Sequence, residues 1–116
     1  MGESADPETV FTLLGDEYVQ TILKAASEEA MSARQLSEVC DSARSTVYRR
    51  VDDLVEAGLL VERTRIQSDG SHHHVYETRL DELTLRVANG EFEMELAIQR
   101  DATERFTRMW EDIREV

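Results

Sequence analysis

Guanidinium and hydroxyl groups are concentrated in one short stretch of the chain, at residues 44–50. Such side chains can bind nucleic acid, because arginine forks onto guanine edges or phosphate oxygens and hydroxyl groups hydrogen-bond to either. On a helix that turns 100° per residue, Ser45 and Arg49 would lie at the centre of the polar face. A merely solvated helix face is the alternative interpretation. The six candidate residues are Arg44, Ser45, Thr46, Tyr48, Arg49 and Arg50.

The helix that carries these residues has signals at both ends. Asp41 or Ser42 can cap its start, and Gly58 can adopt the left-handed conformation that ends it. These signals predict a helix over about residues 43–57. Its apolar residues recur at the spacing of a single buried stripe. They are Val47, Val51, Leu54 and Val55.

A second short helix is predicted immediately before this one. Ser32 is a cap, Gln35 is placed for a capping box, and Leu36 and Val39 are expected to point inward. Residues 40–42 then form the turn. Helix, tight turn and helix is the arrangement in which the second helix enters the major groove of DNA.

A β-hairpin is predicted after the polar helix. Residues 59–66 form its first strand, residues 69–70 its turn and residues 73–80 its return. Arg63 and Arg65 share one side of the first strand and can project together. The hairpin is therefore a candidate DNA-contacting wing, and a solvated hairpin is the alternative.

The segment EVCDSARSTVYRRVDDLVEAGLLVERTR resembles the winged helix-turn-helix of ArsR-like transcriptional regulators, especially the acidic forms of halophilic archaea. The motifs are Ser-Thr-Val-Tyr-Arg-Arg and Glu-Ala-Gly-Leu-Leu, and the resemblance extends over about residues 8–80. It implies recognition-helix positions for Arg44, Ser45, Thr46, Tyr48 and Arg49, and wing positions for Arg63 and Arg65. Metal-sensing members carry paired cysteines, whereas Cys40 is the only cysteine here. We expect no thiolate metal site within one subunit, and we expect Cys40 to pack as a small hydrophobe between the two helices.

The net charge of the chain argues against a nucleic-acid ligand. Twenty-five acidic residues against thirteen basic ones give −12, whereas DNA-binding domains are normally basic. The basic residues are twelve arginines and one lysine, a bias that together with the acid excess resembles proteins adapted to molar salt. At about 1 M salt the Debye length is about 3 Å, so local contacts decide binding. Residues 44–65 carry five arginines and four acids, whereas residues 1–33 carry seven acids and one lysine.

The N-terminal third is predicted to be helical. Residues 1–5 are expected to fray, Asp6 and Pro7 to begin a short helix, and Gly15 to end it. Asp16 caps the next helix, and residues 28–31 form a loop. The expected buried stripe of that helix is Val19, Ile22, Leu23 and Ala26.

The pattern of residues 81–116 predicts an extension that follows the winged helix-turn-helix. Alternating apolar residues on both sides of Asn89-Gly90 predict a second β-hairpin, although a helix beginning near Glu91 is an alternative. From about Gln99 the apolar period becomes helical, and such a stripe must be buried somewhere. We predict a homodimer through residues 99–116, alone or together with the second hairpin, with packing on the first helix of the same chain as the alternative. The expected dimerisation residues are Phe106, Met109, Trp110 and Ile113.

Other classes of function have little support. No catalytic constellation has the required context, so no enzyme and no cofactor are predicted. Consecutive residues of a strand face alternate sides, so His72, His73 and His74 converge poorly on one metal ion. The chain has a single cysteine, and its sequence shows neither an apolar run of about 18 residues nor a leader. We therefore predict a cytoplasmic protein without a membrane span. No small-molecule effector is evident.

The sequence therefore predicts an α+β fold, with a winged helix-turn-helix at residues 6–80 and a β-hairpin plus C-terminal amphipathic helix at residues 81–116 for dimerisation. The predicted function is a sequence-specific, homodimeric DNA-binding transcription regulator. One alternative is an acidic winged-helix interaction module of a transcription complex that does not itself contact DNA. Another is a ligand-sensing domain that uses the space beneath the second hairpin.

Overall fold

The computed structural model describes residues 3–4, 6–66 and 68–99. Within them, four helices are followed by two antiparallel β-hairpins, which confirms the α+β class. The helices are α1 (Pro7–Leu14), α2 (Glu17–Glu28), α3 (Ala33–Cys40) and α4 (Arg44–Glu56). The strands are β1 (Glu3–Ser4), β2 (Leu60–Ile66), β3 (His72–Thr78), β4 (Leu80–Ala88) and β5 (Glu91–Ile98).

Helices α2, α3 and α4 surround the centre of the hydrophobic core. The N-cap prediction for α2 is confirmed, since the Asp16 carboxylate accepts a hydrogen bond of 3.0 Å from the backbone N–H of Val19. All four residues of the predicted α2 stripe are buried. From the last third of the chain, Met94 and Leu96 of β5 join the same core cluster.

Helix α3 begins with the predicted capping box. The Ser32 hydroxyl accepts from the Gln35 backbone N–H at 3.1 Å, and the Gln35 side chain accepts from the Ser32 N–H at 2.9 Å. The inward orientation predicted for Val39 is wrong, because its side chain is 48% exposed. The buried stripe of α3 instead contains Ala33, Leu36 and Ser37, and Val39 falls outside it. The thiol of Cys40 is partly buried beside α2 rather than fully enclosed.

The turn between α3 and α4 lies one residue later than predicted, at residues 41–43. Asp41, at φ +51°, is the left-handed C-cap of α3, so it is not available to begin α4. The N-cap of α4 is Ala43, which makes no side-chain capping bond, and the predicted cap at Asp41 or Ser42 is therefore wrong.

The end of α4 follows the prediction. Gly58 has φ +83°. Its N–H bonds to the Val55 carbonyl at 3.0 Å, and the N–H of Leu59 bonds to the Leu54 carbonyl at 2.9 Å. These two bonds form a Schellman motif, in which Leu54 and Leu59 supply the accompanying apolar contact. Both side chains are fully buried.

Strands β2 and β3 form the hairpin predicted as a wing. They pair from Leu60 opposite Thr78 to Ile66 opposite His72. The predicted loop at residues 28–31 needs correction, because Glu28 still belongs to α2 and Met31 bridges to Tyr76 through two backbone hydrogen bonds of 3.1 and 2.8 Å. This bridge adds a third short segment beside the hairpin.

Strands β4 and β5 form the predicted second hairpin, and the alternative of a helix from Glu91 is wrong. Asn89 and Gly90 both have positive φ, 54° and 78°, as a type I′ turn requires. Residues 3 and 4, predicted to fray, instead form β1, whose backbone pairs with β5, Glu3 opposite Leu96; residues 1, 2 and 5 lie outside the described residues.

Two predictions for the chain ends have different outcomes. Helix α1 begins at Pro7 after Asp6, but the Asp6 carboxylate accepts from the Thr9 hydroxyl at 2.6 Å rather than from a backbone N–H. The predicted C-terminal helix, with its predicted dimerisation residues Phe106, Met109, Trp110 and Ile113, lies outside the described residues.

Within the described part of the chain, no helix is long and apolar enough to cross a membrane.

Candidate nucleic-acid interface

The outer face of α4 presents most of the predicted polar residues. Arg44, Ser45, Tyr48 and Arg49 are exposed, and Thr46 is partly buried. On the opposite face, the fully buried side chains of Val47, Val51 and Leu54 fix the helix to the core. No described carboxylate makes a salt bridge with Arg44 or Arg49. The geometry therefore leaves these two guanidinium groups available to a ligand.

Arg50 has a different environment from Arg49. Its Nη2 lies 3.0 Å from Asp16 Oδ2, its Nε donates to the same oxygen at 3.1 Å, and its guanidinium carbon lies 5.9 Å from the centre of the Tyr18 ring. Burial by itself raises the pKa of Asp16, but the bonds from the Val19 N–H and from Arg50 outweigh it and lower the pKa below its usual value. Arg50 therefore connects α4 to the start of α2.

Cys40 lies close to the same junction. Its Sγ is 3.9 Å from the carbonyl oxygen of Tyr18. Burial, together with the charge of Asp16, raises the pKa of the Cys40 thiol. The thiol form is therefore favoured, and a thiolate ligand or nucleophile is disfavoured at this position.

The two arginines of the β2–β3 hairpin are not equivalent. Arg63 donates from Nε to Glu77 Oε2 at 2.9 Å across the hairpin. Arg65 lies opposite His73, is exposed, and makes no salt bridge with a described carboxylate. The hairpin therefore offers one uncommitted guanidinium, at Arg65, close to its turn.

The three consecutive histidines also differ from one another. Their partners on β2 are Ile66 for His72, Arg65 for His73 and Thr64 for His74, so neighbouring imidazoles face opposite sides of the hairpin. The Nδ1 atom of His74 lies 2.7 Å from a carboxylate oxygen of Glu62. This side chain therefore has a local partner on the adjacent strand.

A groove of about 900 Å³ separates the start of α3 and the side of α4 from the β2–β3 hairpin. Tyr48 and Arg65, both predicted from sequence, line it together. Arg34 of α3 also lines it, although no sequence pattern indicates this residue, because it reaches the groove only through the packing of α3 beside the hairpin. Its exposed guanidinium lies 3.6 Å from Glu38, its neighbour one helical turn away.

Acidic groups lie within the same groove. Asp52 and Glu38 line it, and burial, followed by the charges of Glu62 and Asp52, raises the pKa of Tyr76. Tyr76 is therefore neutral at physiological pH and can donate a hydrogen bond. Asp52 follows Arg49 by three residues and Ser45 by seven, so this exposed carboxylate lies on the same side of α4 as these two residues, towards the C-terminal end of the helix.

The middle of the chain is similar to a known family of protein domains. A family model described as a helix-turn-helix domain matches residues 12–63, and no curated protein matches the chain. The matched range contains all of α2, α3 and α4 and extends into β2. Residues 12–63 are therefore similar to a helix-turn-helix domain, and within this range α3 and α4 are consecutive helices joined by a tight turn at residues 41–43.

Proposed function

We propose that the protein is a sequence-specific DNA-binding transcription regulator whose helix α4 enters the major groove. The observation that carries this proposal is the exposure of Ser45 and Arg49, one turn apart, on the second helix of a helix-turn-helix. That helix is the one that reads bases in such domains. The proposal includes no enzymatic activity.

Individual roles follow from geometry and side-chain chemistry. We assign Arg49 and Ser45 to base edges, because they are central on the exposed face. Arg44, Thr46 and Tyr48 hydrogen-bond to bases or phosphates. Arg50, which the sequence places with them, acts in this proposal chiefly by orienting α4, since its guanidinium is bound to Asp16.

The β2–β3 hairpin is proposed as the wing. Arg65 supplies its main contact with the DNA backbone, because it makes no salt bridge with a described carboxylate. Arg63 contributes less, since DNA must compete with Glu77 for its guanidinium. Such phosphate contacts position the protein without reading sequence.

We further propose that the protein binds its operator as a homodimer in molar salt, as the resemblance to ArsR-like regulators of halophilic archaea implies. A two-fold dimer would present two copies of α4 to two half-sites. Phe106, Met109, Trp110 and Ile113 are the proposed dimerisation residues. Occupancy of a promoter by this dimer is the proposed mechanism of regulation.

The proposal is tested by selecting genomic DNA fragments in molar KCl with the wild type and with Arg49→Ala. We expect the wild type to enrich a discrete set of fragments and Arg49→Ala to lose that enrichment. Arg86→Ala is the matched control, because Arg86 is an exposed arginine on β4, outside the helix-turn-helix. Failure of the wild type to select any fragment above background would reject the regulator and favour an interaction module.

A further inference from the structure

The groove between α3, α4 and the β2–β3 hairpin adjoins the exposed face of α4. Tyr48 and Asp52, both exposed residues of α4, line the groove. Asp52 follows Arg49 by three residues and is therefore its neighbour on the helix surface. Arg65, the proposed backbone contact of the wing, lines the groove from the hairpin. A DNA strand that contacts both α4 and Arg65 must therefore pass along this groove.

The permanent charges around the groove cancel. The positive groups among its described lining residues are the guanidiniums of Arg34 and Arg65, and the negative groups are the carboxylates of Glu38 and Asp52. Arg34 also lies 3.6 Å from Glu38, so part of the positive charge already has a partner. Surfaces that bind DNA are normally positive, because phosphate neutralisation supplies much of their affinity. The groove therefore needs additional positive charge to hold a phosphate.

His72 and His73 are the side chains that can supply this charge. Residues 72–76, five consecutive residues of β3, line the groove, which therefore follows the edge of this strand. Both histidines are exposed, and no described carboxylate makes a salt bridge with either. His74 also lines the groove, but its Nδ1 lies 2.7 Å from a carboxylate oxygen of Glu62. Because histidine gains its charge as the pH falls from about 8 to about 5, the groove becomes positive over this range.

The groups around His73 favour an anion beside it. Arg65 lies directly opposite His73 on β2, and like charges in such a cross-strand pair repel each other. Asp69, in the turn, is the nearby carboxylate, and it accepts bonds from the hydroxyl and the N–H of Ser71 at 2.6 and 2.9 Å. These bonds, and to a smaller extent the charge of His73, lower the pKa of Asp69. Because Ser71 already holds Asp69, a phosphate placed between Arg65 and a protonated His73 would relieve the remaining repulsion.

We infer that the groove binds the phosphate backbone of DNA and that His72 and His73, when protonated, contact its phosphates. This inference rests on the proposed function and adds a dependence on pH to the same site. Tyr48 and Tyr76 contribute two hydroxyl groups to the groove, and both can donate to phosphate oxygens. The affinity for DNA falls as the pH rises, because both imidazoles lose their charge. Contacts of this kind hold DNA of any sequence.

Fluorescence anisotropy at two pH values tests the inference. Affinities for a duplex of mixed sequence and for a selected fragment are measured over a range of KCl concentrations, at about pH 5.5 and about pH 8. Two additional exposed ion pairs should raise the affinity at the lower pH by about two- to thirtyfold. They should also steepen the slope of log K against log salt by about 2, since each neutralised phosphate contributes about 0.9. Equal affinities and equal slopes at the two pH values would overturn the inference.

Double variants assign the effect to the two histidines. We expect replacement of both His72 and His73 by glutamine to give weak binding at both pH values. Replacement of both by arginine should give tight binding at both, because arginine keeps its charge. His74→Gln is the matched control and should retain most of the pH dependence, since Glu62 already holds this imidazole. A full pH dependence in the double glutamine variant would assign the effect to other groups and overturn the inference; thermal unfolding at both pH values verifies that each variant is folded.

The two duplexes separate this inference from the proposed function. If the mixed duplex binds more tightly at the lower pH but no fragment is selected, the groove assignment stands and the sequence-specific regulator fails. If a fragment is selected with the same affinity at both pH values, the regulator stands and the groove assignment fails. Absence of binding to either duplex at both pH values would reject both.

Discussion

Arg49 and Arg50 are adjacent in sequence, but the structure places them in different environments. Their side chains leave α4 about 100° apart, so Arg49 faces solvent while Arg50 reaches Asp16 at the start of α2. Asp16 therefore has two functions, since its carboxylate caps α2 and also binds Arg50. The orientation of α4, and with it the position of Arg49, depends on a residue outside the polar face.

At this scale we predict that Asp16→Ala lowers the free energy of unfolding by between about 1 and 3 kcal/mol. Loss of an N-cap costs about 1 kcal/mol, and loss of a charged hydrogen bond adds to it. Urea unfolding in molar KCl measures the change. Asp16→Asn is the matched control, because asparagine also caps helices but lacks the charge, and it should lose less. Equal stability of Asp16→Ala and wild type would show that the junction contributes nothing.

At the scale of elements, the end of α4 determines how the β2–β3 hairpin begins. We predict that Gly58→Ala destabilises the protein by about 1–2 kcal/mol, because an L residue with a Cβ is strained at φ +83°. Crowding is not the cause, since the added Cβ would lie 4.0 Å from Ile98 Cδ1, its nearest neighbour outside the adjacent residues. Thermal unfolding should show a smaller loss for Gly58→Asn, because asparagine tolerates this conformation. If both variants unfolded like the wild type, the Schellman motif would not be needed.

The wing is also an element with a testable function. Arg65→Ala should weaken binding to all DNA sequences alike and reduce the slope of log K against log salt by about 1. Arg63→Ala should have the smaller effect, because Glu77 already binds its guanidinium. Fluorescence anisotropy over a range of KCl concentrations measures both slopes. A larger effect of Arg63→Ala would reverse the proposed assignment of the two arginines.

Elements defined by neighbouring residues were predictable from the sequence, whereas long-range pairs were not. The Ser32 capping box, the left-handed Gly58 and the Asn89-Gly90 turn depend on residues a few positions apart. By contrast, the Arg50–Asp16 ion pair joins residues 34 positions apart, and the Met31–Tyr76 bridge joins more distant ones. No local spacing encodes such contacts, because tertiary packing creates them.

The candidate site shows the same contrast between local features, which the sequence predicts, and long-range contacts, which it does not. Helical periodicity correctly placed Ser45 and Arg49 on the exposed face of α4 and Val47 on its buried face. It placed Arg49, but not Arg50, at the centre of this face, and it could not predict the ion pair of Arg50, because Asp16 lies 34 residues away in the sequence. Nor could it indicate Arg34, which reaches the groove only after α3 packs beside the hairpin.

For the whole molecule, the net charge of −12 predicts a dependence of stability on salt. Like charges repel in the compact state, and about 1 M salt reduces the Debye length to about 3 Å. We predict that the melting temperature rises as KCl increases from about 0.1 M to about 2 M. Circular dichroism measures it, and sucrose series at constant salt control for general solute exclusion. A melting temperature independent of KCl would argue against adaptation to high salt.

The central claim is that the exposed face of α4 reads DNA sequence. The most direct measurement is the ratio of affinities for a selected fragment and a scrambled one, determined in molar KCl for wild type, Arg49→Ala and Arg86→Ala. Removing one good base contact costs about 1–3 kcal/mol of discrimination, so Arg49→Ala should lower the ratio by about five- to 150-fold. Arg86→Ala should retain the wild-type ratio. Equal ratios for wild type and Arg49→Ala would contradict the account.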